Sequence, residues 1–123
     1  MAATATQKVS GIDASYYYVK DLDRATKFYT ELLGAAPSFG IPGMVSEWTF
    51  PGGETFGLYK PSSPEGFSTG GGIMFAVDDV HEAVKAHKAR GVEIEDHIED
   101  TPVCFMAFGT DSEGNGFILH KRK

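Results

Sequence analysis

Two stretches of the chain carry the same order of signals, and this repetition constrains the fold more than any single motif. Residues 15–34 read as strand, acidic turn, amphipathic helix and glycine stop, and residues 73–91 repeat that order. Val19 matches Val77, Asp21 matches Asp79, Leu22 matches Val80 and Ala25 matches Ala83, each pair 58 positions apart. The closing glycines, Gly34 and Gly91, are 57 apart, so the second helix is one residue shorter. In the first helix Leu22, Ala25, Phe28, Tyr29, Leu32 and Leu33 recur at helical spacing, which predicts one face packed on a sheet. Asp21 and Asp79 are the expected N-caps, the latter with Glu82 in capping-box position, and the two glycines supply left-handed stops.

After each helix the pattern changes to short strands. Segments 44–50 and 54–59 are joined by Pro51-Gly52-Gly53, and segments 103–110 and 116–121 by Asp111-Ser112-Glu113-Gly114-Asn115, both with turn chemistry. Shorter strands at 36–40 and 92–96 open the two sets. The expectation is a single domain with a first βαβββ module over residues 12–60, a linker at 61–72 and a second module at 73–121. The Gly70-Gly71-Gly72 run in the linker lacks the strand and helix context of a phosphate loop.

Side chains alternate along strands, so each strand presents two rows. Tyr17 and Val19, Phe56 and Leu58, Ile73, Phe75 and Val77, and Phe117 and Leu119 form large apolar rows suited to lie beneath the helices. The opposite rows are Ala14, Tyr16 and Tyr18; Thr55, Gly57 and Tyr59; Gly72, Met74 and Ala76; and Gly116, Ile118 and His120. Small residues mixed with tyrosines suit either a cavity lining or a face buried against a partner subunit.

Composition removes several classes of function. With 11 basic against 17 acidic residues, a net charge of −6 and no basic cluster, nucleic acid and anionic membrane are not expected partners. The single cysteine, Cys104, excludes an internal disulfide and points to a cytoplasmic home, where it reads as a small buried hydrophobe. Residues 1–10 are small and polar, a lead-in without the apolar core of a signal peptide, and no apolar run is long enough to span a bilayer.

The residues at this point resemble the vicinal-oxygen-chelate superfamily, which includes glyoxalase I, extradiol dioxygenases, methylmalonyl-CoA epimerase and the fosfomycin and bleomycin resistance proteins. The motifs that carry the resemblance are Tyr18-Val19-Lys20-Asp21-Leu22 followed by Phe28-Tyr29 and Leu32-Leu33-Gly34, then Ala76-Val77-Asp78-Asp79-Val80, and finally the 111–115 turn. The resemblance implies an α+β fold in which two βαβββ modules form a curved, mainly antiparallel sheet with helices on the convex side. It also implies a homodimer. Metal-dependent relatives carry ligands at places that fall here on Ala14, Gly57, Gly72 and Ile118, none of which has a donor side chain. A cofactor is therefore not expected, and no metal site is assigned.

The leading expectation is a metal-independent binding protein for a small antibiotic-like or aromatic molecule. Its ligand-binding residues would be Tyr16, Tyr18, Trp48, Tyr59, Met74 and His120, because tyrosine joins an apolar ring to one hydrogen-bonding tip. The alternative is a glyoxalase-like lyase or isomerase, with His120 as catalytic base or with a displaced metal site that draws on His120 and Glu47. A third reading is a regulatory module whose sheet face only dimerises. The acidic run Glu93, Glu95, Asp96, Glu99 and Asp100 reads as solvated surface, and residues 39–43 as a loop near the pocket.

Overall fold

The computed structural model describes residues 12–123, so the lead-in over residues 1–10 lies outside the described residues. The first half runs β1 (Ala14–Tyr18), α1 (Leu22–Leu33), β2 (Phe39–Ile41), β3 (Val45–Thr49) and β4 (Thr55–Tyr59). The second runs β5 (Ile73–Ala76), α2 (Val80–Ala89), β6 (Glu93–Ile94), β7 (Glu99–Asp100), β8 (Cys104–Thr110) and β9 (Gly116–Arg122). The segment expected as a loop over 39–43 thus contributes strand β2.

The helix boundaries follow their local chemistry. Asp21 accepts a hydrogen bond from the Arg24 amide at 3.0 Å, and Asp79 from the Glu82 amide at 3.1 Å. Gly34, at φ 75°, takes the left-handed conformation that ends α1 and donates to the Thr30 carbonyl.

Each half builds its own sheet. The first has the order β1-β4-β3-β2 and the second β5-β9-β8-β6, with β7 also paired to β8. Within each, the first strand lies parallel to the last and the other pairings are antiparallel. The two expected modules thus each form a mainly antiparallel sheet, and what joins them within the chain is their apolar rows. Tyr17, Phe56 and Leu58 of the first sheet and Phe75, Phe117 and Leu119 of the second join one buried cluster with Ala25, Tyr29, Val80 and Val84 of the helices. Phe56 meets Phe75 edge to face with ring centres 5.0 Å apart, and Phe28 meets Phe117 at 6.1 Å. Burying both helix-bearing faces in one core removes more apolar surface from water than leaving either exposed. The other face of each sheet is left on the outside of the chain.

The halves are also fastened by polar groups. Tyr17 reaches from β1 into the start of the second sheet, where its hydroxyl donates to the Gly116 carbonyl and accepts from the Ile73 amide. Burial pushes its pKa up to about 12, so it remains a donor. The turn at 111–115 grips the first half directly. Buried Asp111 accepts the Tyr29 hydroxyl at 2.7 Å, the Asn115 side-chain amide at 3.1 Å and the backbone amides of Glu113 and Asn115 at 2.8 Å each. Asn115, fully buried, also donates to the Tyr18 carbonyl and accepts from the Gly70 amide. Glu113 accepts from the Asp21 amide and from both Arg24 Nε, at 2.6 Å, and Arg24 Nη2, at 3.0 Å.

Candidate functional site

Strand register fixes which side chains share the outer face of the first sheet. Its rows are Ala14, Thr55 and Thr49; Tyr16, Gly57, Glu47 and Phe39; and Tyr18, Tyr59, Val45 and Ile41. The middle row explains itself. Gly57 lies between Tyr16 and Glu47, and a Cβ there would fall 2.5 Å from Tyr16 Cζ. The absent side chain lets the Tyr16 ring lie across β4, so that its hydroxyl donates to Glu47 on the far strand. Beside it, Tyr18 and Tyr59 meet edge to face at 5.8 Å. Tyr16 and Tyr18 remain 36% and 44% exposed, as does half of Phe39.

The outer face of the second sheet is different. Met74, Ile118 and Phe108 form one row, and Ala76, His120, Met106 and Glu99 the next. Met74 is 52% exposed, whereas Ile118 is covered by its neighbours. His120 borders a shallow cleft of about 280 Å3 that also includes Asp78, Lys121 and Arg122. No carboxylate among the described residues hydrogen-bonds its ring. A larger groove of about 530 Å3 is bordered by Met74 and the outer edge of β5, the end of α1 (Leu32, Leu33) and the β3–β4 turn (Phe50, Glu54).

The residues expected to share one pocket are thus distributed over three places. Tyr16, Tyr18 and Tyr59 lie together on the first outer face, while Met74 and His120 lie on the second. Trp48 is a correction: its register opposite Phe56 turns it to the helix side, where it is 2% exposed and donates Nε1 to the Ala35 carbonyl at 2.8 Å. It is a core residue in this chain. The sequence reading missed Phe39, Met106 and Phe108 as outer-face residues. The alternation Cys104, Met106, Phe108 along β8 was the available signal for two of them.

The positions that the resemblance assigns to metal ligands do not fit a metal here. Ala14, Gly57, Gly72 and Ile118 have no side-chain donor atoms. Among the described residues no group of three or more His, Cys, Asp or Glu side chains converges. Cys104 is buried against Thr101, with Sγ 3.2 Å from Oγ1. No described helix is long and apolar enough to cross a membrane.

Comparison with known proteins gives the fold its relatives. The lactoylglutathione lyase of Agrobacterium tumefaciens superposes with a TM-score of 0.76 at 21% identity, covering 94% of this chain and 96% of its own. The antibiotic-binding protein TnmS3 of Streptomyces sp. CB03234 superposes at 0.75 with 24% identity, covering 94% and 98%. A glyoxalase/bleomycin resistance protein of Catenulispora acidiphila gives 0.69 at 21% identity, covering 88% and 95%. No curated protein sequence matches the chain. The family model of the Glyoxalase/Bleomycin resistance protein/Dioxygenase superfamily matches residues 11–119, and the chain belongs to that superfamily.

Proposed function

We propose that this protein binds a small aromatic or amphipathic molecule, without metal or other cofactor, against the outer face of its first sheet. The observation that carries the reading is the Tyr16-Gly57-Glu47 row beside the Tyr18–Tyr59 pair. Here a glycine makes room for a ring to lie flat, amid exposed aromatic surface with one fixed polar group. The likeness to an antibiotic-binding protein is consistent with such a ligand but shows only a shared fold.

The two outer faces lie on opposite sides of the shared core, so neither covers the other within one chain. A homodimer that sets the first face of one copy against the second face of its partner covers both. Met74 and His120 then come to the tyrosines from the second copy. The protein acts in the cytoplasm, where Cys104 stays reduced. Lyase or isomerase chemistry with His120 as base has less support, because no described carboxylate orients its ring.

Calorimetric titration with a panel of aromatic antibiotics and metabolites, paired with sedimentation, tests this reading. Saturable binding by a dimer, weakened at least about tenfold in Tyr16→Ala and Tyr59→Ala, is the expected result. A folded protein that binds nothing on the panel, or binds it equally well in both variants, would contradict it.

A further inference from the structure

We infer that the ligand of the first outer face carries a cationic nitrogen, an ammonium on an aromatic or apolar body, and that Glu47 receives it. This rests on the reading of that face as the binding site and adds the charge of the ligand. Among the eleven residues that one chain sets out in these three rows, Glu47 is the only carboxylate and none is Lys, Arg or His. The ion pairs of the described residues use Glu113, Asp96, Glu31, Glu99 and Asp100, and none uses Glu47.

Tyr16 holds the Glu47 carboxylate in place with one hydrogen bond, which leaves most of its acceptor capacity free. A neutral apolar ligand laid over this row would strip water from a carboxylate and return nothing, and an anion would also repel it. A cation gains the carboxylate and the faces of nearby tyrosine rings together. Charge complementarity thus selects one class of ligand from those that the apolar surface alone would accept.

The test compares protonated tryptamine with tryptophol, which keeps the indole and replaces the ammonium with a hydroxyl. Both are titrated into the full chain and into Glu47→Gln, by calorimetry and by the NMR shifts of the tyrosine rings. The expected result is about tenfold tighter binding of tryptamine, with ring shifts at Tyr16, Tyr18 and Tyr59, and loss of the preference in Glu47→Gln. Equal affinities with the same ring shifts would overturn the charge assignment and leave the face a binding site. A cation preference that survives Glu47→Gln would overturn the role of Glu47. If neither probe shifts these rings, the face takes no such ligand and both readings fall.

Discussion

Tyr29 on α1 donates its hydroxyl to Asp111 Oδ2 across 2.7 Å, so a helix of the first half is tied to the last turn of the second. Burial, and then the negative charge of Asp111, push the pKa of the tyrosine far up, which keeps its proton in the bond. Around this pair the Asp111-Ser112-Glu113-Gly114-Asn115 segment serves the fold, by fastening two sheets that share no ladder. Tyr29→Phe removes one donor to a buried carboxylate and is expected to cost about 1–3 kcal/mol in urea unfolding. Asp111→Ala, which strands two backbone amides and Asn115 as well, should cost more.

The Glu113 contact gives the stability a definite pH dependence. Desolvation pushes its carboxyl up, but the Arg24 guanidinium and the Asp21 amide outweigh this and hold it below the ordinary carboxylate value. A group whose pKa is lower when folded stabilises the protein above its unfolded value, and that contribution is lost as pH falls through the folded one. Unfolding free energies measured from about pH 6 down to about pH 3 should therefore decline, and Glu113→Gln should flatten the decline while lowering stability at neutral pH.

Two glycines that both admit an aromatic ring should respond differently to alanine. At Gly109 a Cβ would enter the space of the Phe117 ring, which is 1% exposed and enclosed by the core. Gly109→Ala is expected to destabilise by about 1–3 kcal/mol. At Gly57 the displaced ring is that of half-exposed Tyr16, which can swing toward solvent. Gly57→Ala should cost less than about 1 kcal/mol, yet break the Tyr16–Glu47 contact and weaken ligand binding. Paired denaturation and titration of the two variants separate these outcomes.

Trp48 provides an internal reporter, since it is the only tryptophan. Its burial predicts blue-shifted emission that resists iodide quenching until the chain unfolds. Ligand addition should leave that emission nearly unchanged while altering tyrosine signals. A large tryptophan response to ligand would instead place binding on the helix side of the first sheet.

The amino-acid sequence by itself determined the repeated order of strands and helices, their caps, and the apolar rows beneath the helices. Those features rest on spacing, turn chemistry and short-range hydrogen bonds, all written within a few residues of one another. The orientation of β3 was not legible, because both of its rows mix polar with apolar side chains: Val45, Glu47 and Thr49 against Ser46 and Trp48. Only pairing with β4 turned Trp48 inward and Glu47 outward. The sequence likewise showed the 111–115 segment as a turn, while its grip on Tyr29, Arg24 and Tyr18 depends on residues more than 80 positions away. Tertiary structure also decided that the other candidate residues lie on two outer faces. Both apolar rows compete for burial, and packing them on each other satisfied both at once.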